Sequence, residues 1–485
     1  MAAMRTPLLL VLAASLCAQD AGMVLMQSVV YGTQKSTLPM DEAQRKEADR
    51  LQMEARKHGA SGDFAKALRS LHQGMAVMRG VEWSPLVEAA AAMEVKPDHA
   101  IGTPAGTIRV NLKPLYSSER VNGQTLLATV VLAPAGNGSA GGVLLLEKHA
   151  LAATGASVEV KLPEKSGSYF LETRLTGPDG ETDAKSGVFR KQSPFLVASL
   201  QAERDRLAAR LTKARSNGAG RGLATAEYAL ELYGLADRGE TNPHRYRFEE
   251  QFASAHGILD ALEAGKDPFA GKRGDLSKAY RSDVDGTLQP YRVFVPESYE
   301  EKKATPLVIA LHGMGGNESS FFTGYDGVLL REAARKGFLV AAPKGRAPTS
   351  MYRGTAEKDV LDVLVEVRRD YNVDGKRIYL MGHSMGGFGT WSIAMNHPEL
   401  FAALGPIAGG GNAGGMEKIK HIPQFVVHGD NDPTVNVEQS RAMVEAGRKA
   451  GAAMKYVEVK GGGHGNIVVP NLGPMLDYFE KQSKP

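Results

Sequence analysis

A β-branched and aromatic run, Arg377-Ile378-Tyr379-Leu380-Met381, leads directly into Gly382-His383-Ser384-Met385-Gly386, and the residues after it can continue as a helix through Trp391 and Met395. That order of strand, Gly-x-Ser-x-Gly and helix is restrictive. It describes a sharp strand-to-helix turn with a serine at its apex, the hydroxyl projecting above the end of a sheet. The flanking glycines have a steric reason, because strand and helix pack too closely beside such a turn for larger side chains. Ser384 is therefore the candidate nucleophile, and the rest of the chain is expected to supply its partners.

At 485 residues the chain exceeds one ordinary core; at roughly 150 residues per domain it should hold two to four. Net charge is only +4, and no basic stripe with interleaved aromatics is present. Nucleic acid is thus not an expected partner. Cys17 is the only cysteine, so no internal disulfide can form and stability must come from packed cores. Arg5, the apolar stretch Leu8 to Leu16 and the small residues around Cys17 read as an export signal over residues 1–18. The mature chain is then expected to be secreted or periplasmic, without a transmembrane span.

Residues 24–98 are expected to hold a helical hairpin. Phe64, Ala67, Leu68, Leu71, Met75 and Met78 form a stripe at spacings of three and four, and His58 to Asp63 interrupts the pattern before it. From 99 to 197 the period changes to two. Ile108, Val110 and Leu112 alternate with polar positions, as do Val158, Val160 and Leu162, and turn-forming clusters fall at Ala135 to Gly142 and Gly177 to Gly180. The pattern predicts a small β-sandwich of immunoglobulin type. Residues 198–270 read as a helical connector that ends in a charged, glycine-rich linker, Lys266 to Asp275. From 271 to 485 strand and helix signals alternate. Short apolar runs at Tyr291 to Val295, Leu307 to Leu311, Phe338 to Ala342, Ile378 to Met381, Phe401 to Ile407, Phe425 to His428 and Tyr456 to Val459 suit a mostly parallel sheet with helices on both faces.

A serine hydroxyl needs a base to take its proton, and the base needs a third group to hold its tautomer. Downstream of Ser384, His428-Gly429-Asp430-Asn431-Asp432 follows one strand and Gly461-Gly462-Gly463-His464-Gly465 the next. That is the order nucleophile, acid, histidine expected on such a sheet. Asp432 is assigned as the acid, with Asp430 as its rival, and His464 as the base. His383 is expected to project elsewhere, His312 and His428 to be structural, and His397 and His421 to lie in loops. The oxyanion should meet the backbone N–H groups of Met385 and of Met314 in Leu311-His312-Gly313-Met314-Gly315-Gly316, with Gly313 and Gly315 as alternatives. The side chains of both methionines would then be free to line the pocket. Phe321, Phe322, Tyr325 and Trp391 are the pocket-wall candidates.

Taken together, Tyr280 to Gly286, Pro290 to Pro296, Leu311 to Gly316, Gly382 to Gly387, His428 to Asp432 and Gly463 to Gly465 resemble the α/β-hydrolase superfamily. The likeness is greatest to the secreted esterases and predicted peptidases near the polyhydroxybutyrate depolymerases, feruloyl esterases and prolyl oligopeptidases, and it covers roughly the last 210 residues. The resemblance implies a cofactor-independent serine hydrolase acting through an acyl-enzyme, but not a substrate class; a small-molecule or polymer-attached ester is the expected substrate, and no metal is expected. A peptidase of prolyl-oligopeptidase type is an alternative. So is an envelope or polysaccharide binding protein whose hydrolase domain is secondary.

Overall fold

The computed structural model describes residues 7–136, 141–178, 190–218 and 220–485, and of residues 7–20 the backbone alone. Arg5 of the expected signal and parts of both turn clusters lie outside the described residues. The chain divides into two compact units. One comprises Met1–Arg206 and Leu230–Phe252, the other Leu207–Ala229 and Ala253–Pro485. The expected connector is therefore not one body, since its helices are shared between the units.

In the first unit a helix spans Pro7–Thr37, followed by helices Glu42–Ala60 and Phe64–Met78. Asp41 starts the second with a reciprocal cap. Its carboxylate accepts the Gln44 N–H, and the Gln44 side chain accepts the Asp41 N–H. The apolar stripe falls on the third helix, where Ala67, Leu68, Leu71, Met75 and Met78 are buried. The Tyr31 hydroxyl donates to the Ala48 carbonyl at 2.7 Å and ties the first helix to the second. No helix among the described residues is long and apolar enough to cross a membrane.

Strand structure begins at Met93, inside the segment expected to be helical, because Met93–Pro97 pairs antiparallel with Thr107–Pro114. Three strands form one sheet and five another. Ile108, Val110, Leu112, Val158 and Val160 of the first sheet and Leu126, Val130, Leu132, Leu171 and Phe195 of the second are buried in one apolar cluster.

The second unit is built on an eight-stranded sheet. Its strands, in chain order, are β1 (Gly274–Arg281), β2 (Leu288–Val295), β3 (Thr305–Leu311), β4 (Leu339–Pro343), β5 (Val373–His383), β6 (Ala403–Ile407), β7 (Gln424–Gly429) and β8 (Met454–Val459). Their spatial order is 8-7-6-5-3-4-2-1. Pairing is parallel from β4 through β3 to β8 and antiparallel for β2 with both β1 and β4. The sheet is thus mixed at one edge. There β1 begins inside the segment expected to be a linker, recruited by its register with β2.

Both faces are covered, which is why the central strands read as unbroken apolar runs. Leu307, Ile309 and Leu311 share one apolar layer with Val360, Val363 and Val367 of helix α1 (Thr355–Asp370) and with Trp391 of helix α2 (Met385–Asn396). Val308 and Ala310, pointing the other way, share the opposite layer with Leu472, Met475 and Phe479 of helix α3 (Val468–Phe479). The sheet is thereby fixed from both sides and gives the loops at the carboxyl ends of β3, β5, β7 and β8 a fixed base.

Candidate active site

Ser384 joins β5 to α2 with φ +56° and ψ −118°, a conformation that L-residues rarely adopt and that structures retain at functional turns. The glycines around it permit the turn. A Cβ on Gly382 would lie 2.3 Å from Gly386 O, and one on Gly386 would lie 2.0 Å from Leu311 O. The turn therefore sits directly against the end of β3, and no side chain fits between them.

The Ser384 hydroxyl lies 2.9 Å from His464 Nε2, and His464 Nδ1 lies 2.7 Å from Asp432 Oδ2. Asp432 is held in turn. Its Oδ1 accepts the N–H groups of Thr434 at 2.8 Å and Val435 at 3.0 Å, and its side chain is 0% exposed. Burial alone would raise its pKa. Hydrogen bonds from His428, His464 and the two amides outweigh that and hold the carboxyl well below the usual carboxylate range. An ionised Asp432 accepts only, so His464 Nδ1 carries the proton and Nε2 is free to take one from Ser384.

The rival acid has a different task. Asp430 Oδ1 accepts the Gly461 N–H at 2.6 Å, and Asn431 N–H bonds to Gly462 O at 3.0 Å. These contacts pin the glycine run that carries His464. His383 does not project elsewhere as expected. Its Nε2 lies 2.8 Å from the His464 carbonyl and its Nδ1 lies 2.9 Å from the Tyr325 hydroxyl. Burial, with His464 beside it, pushes His383 down to about 4. The ring is therefore neutral near pH 7, donating from Nε2 to His464 O and accepting the Tyr325 O–H at Nδ1. His312 lies with Nε2 2.7 Å from Lys344 O, and His397 pairs with Glu357 at 2.8 Å.

A Cβ on Gly313 would lie 3.4 Å from Ser384 Cβ, so the loop after β3 borders the nucleophile. Gly315 N–H is already given to Pro348 O at 2.9 Å and Gly316 N–H to Gly313 O at 3.0 Å. That removes Gly315 as an oxyanion donor and leaves Gly313 and Met314. Met385 opens α2, where a backbone N–H has no acceptor within the helix. Its side chain does not line a pocket: it is 2% exposed, and its sulfur accepts the Met351 N–H at 3.3 Å.

The aromatic wall candidates are also corrected. Trp391 is fully buried, and its Nε1–H donates to Gln424 Oε1 at 2.8 Å, between helix and sheet. Phe321 and Phe322 are buried in the opposite apolar layer, with the Arg292 guanidinium 5.3 Å over the Phe322 ring. Only Tyr325 bears on the site, through His383. Its partner lies 58 positions away, so periodicity could not reveal the contact.

The sheet order, the strained serine turn and the three loops at the strand ends define an α/β-hydrolase domain. Residues 287–413 match the family model described as "Putative esterase", and the second unit has an esterase-type α/β-hydrolase fold. The chain is 29% identical over 157 residues to a bifunctional acetylxylan esterase/xylanase of Neocallimastix patriciarum, covering 32% of this chain and 23% of that protein. It is 25% identical over 210 residues to "Probable feruloyl esterase C" of Aspergillus terreus, covering 42% and 72%. Among solved structures, a thermostable esterase superposes with TM-score 0.41 and 20% identity, over 80% of this chain and 100% of that one.

Proposed function

We propose that this protein hydrolyses carboxylic esters through an acyl-enzyme formed on Ser384. The hydroxyl attacks the ester carbonyl as His464 takes its proton, and Asp432 stabilises the imidazolium. The oxyanion is held by the backbone N–H groups of Met385 and Met314, each donor being worth about 3 kcal/mol of barrier. His464 then protonates the leaving alkoxide, and the same steps run with water release the acid. The observation that carries this reading is the unbroken path from Ser384 through His464 to a buried carboxylate, at 2.9 and 2.7 Å.

The names of the two relatives suggest the substrate class: acetyl or aromatic acyl esters attached to plant polysaccharide. Labelling by a fluorophosphonate, beside Ser384→Ala, tests the nucleophile, and losing it should cost about 10⁶ in rate. Methyl ferulate, acetylated xylan and an acyl p-nitroanilide then separate aromatic ester, acetyl ester and amide cleavage. A folded wild type that neither labels nor turns over an ester would refute the proposal. We read the first unit as a helical hairpin and an immunoglobulin-type sandwich on an exported chain. Binding of the Ser384→Ala protein to insoluble xylan tests whether the enzyme also holds its polymer, and no retention would count against a binding role.

A further inference from the structure

His428, near the end of β7, is fully buried. Its Nε2 lies 3.0 Å from Val435 O and 3.3 Å from Asp432 Oδ2. Both partners are acceptors, so Nε2 carries a proton in either charge state of the ring. On the other side Nδ1 lies 2.7 Å from the Ser440 hydroxyl, which is itself 3.0 Å from Gly409 O. A histidine serving only to finish a strand would be satisfied by Val435 and Ser440. This one also reaches the same carboxylate oxygen that His464 uses.

We propose that His428 is a positioning residue for the reaction, its Nε2–H sharing Asp432 Oδ2 with His464 so that the carboxylate's rotation and basicity are both set by two imidazoles. The inference rests on the reading of Ser384, His464 and Asp432 given above. A carboxylate oxygen shared between two N–H donors is a weaker acceptor toward each. Removing His428 makes Asp432 a stronger partner for His464, and His464 then holds a proton more firmly. Ser440 steers the ring from behind.

Three other titratable groups face this pair. His383 stands with its ring centroid 4.7 Å from that of His464. Asp430 is taken by Gly461. Glu458, the register partner of His428 on β8, is held by Arg441 and Tyr456. None of these contacts is contributed by His428.

The test compares His428→Leu with His428→Gln, whose side-chain amide can still donate toward Asp432, and with Ser440→Ala. The readout is the rate of fluorophosphonate labelling of Ser384 as a function of pH, which needs no knowledge of the natural ester. His428→Leu should label about tenfold more slowly near neutral pH, with the acid limb displaced to higher pH, and His428→Gln should recover most of both. Ser440→Ala should move the limb in the same direction by less, and it supplies the readout should the leucine variant fail to fold. An unmoved limb in folded His428→Leu or Ser440→Ala overturns the inference, as does an equal loss in leucine and glutamine. Failure of the wild type to label would overturn the underlying reading instead.

Discussion

Asp432→Asn offers the sharpest test of the site, because the structure dictates which way the new amide must face. Thr434 and Val435 both direct N–H groups at Oδ1, so the amide oxygen must take that position and the NH₂ must replace Oδ2. There it opposes His464 Nδ1, now donor against donor. His464 must give up its Nδ1 proton and carry one on Nε2, where it can no longer accept from Ser384. Restoring the productive tautomer breaks the new amide–imidazole bond, worth about 0.5–1.5 kcal/mol, and forgoes the charge-assisted bond of the wild type, about 1.5–3 kcal/mol. The combined penalty of about 2–4.5 kcal/mol corresponds to roughly a 30- to 2,000-fold loss in kcat. Steady-state turnover of a p-nitrophenyl ester measures it, with thermal melting to show that the near-isosteric variant is folded. Asp430→Asn is the control. Its amide oxygen can still accept the Gly461 N–H, so its loss should stay within about tenfold. A folded Asp432→Asn enzyme retaining a tenth of wild-type kcat, or a larger loss in Asp430→Asn, would refute the reasoning.

Two further substitutions probe the frame around the site. Gly→Ala in an exposed helix ordinarily stabilises by about 1 kcal/mol; Gly386→Ala should reverse that sign, since its Cβ would meet the Leu311 carbonyl at 2.0 Å. A loss of about 1–3 kcal/mol is expected with a fall in kcat as α2 shifts, and a melting temperature equal to or above wild type would contradict it. His383 has its pKa lowered to about 4 from an ordinary 6.5. Between those values the unfolded chain binds a proton that the fold rejects, so stability is complete above about pH 6.5 and falls toward pH 4, by up to about 3 kcal/mol. Chemical denaturation near neutrality and at about pH 5 should show a weaker acid loss in His383→Gln than in wild type, and equal slopes would exclude His383 as the source.

What could be read from the sequence was what is local. The turn at Ser384 announces itself because its strand, glycines and helix are contiguous, and the runs that became β3 to β7 are apolar because both faces are covered. Order along the chain pointed to Asp432 and His464, and Asp432 was assigned over its rival Asp430, whose carboxylate accepts the Gly461 N–H. Trp391 was misread. An aromatic soon after the serine turn suggests a pocket, but α2 is buried on most of its surface and Gln424 from β7 supplies the indole's acceptor. Tyr325 was named only as a pocket-wall candidate and His383 was expected to project elsewhere; their mutual hydrogen bond went unread because it joins segments far apart in sequence. The early edge strand β1 hid in a charged stretch, because an edge needs little apolar character.

His464, the proposed base, rides on Gly461-Gly462-Gly463, three residues with great freedom when released, held by the Asp430 carboxylate, the Asn431 amide and Asn466 Oδ1 on the Gly463 N–H at 2.9 Å. That segment is tied by a handful of loop hydrogen bonds, whereas the sheet beneath is locked on both faces. Regions of that kind open at lower free energy than the global fold. On warming or in mild denaturant, turnover is therefore set to fade while circular dichroism still reports a native sheet, and amide exchange at Gly461 to Gly463 to outpace exchange in β5. The proposed activity is therefore expected to be lost first at this short run of glycines, before the core gives way.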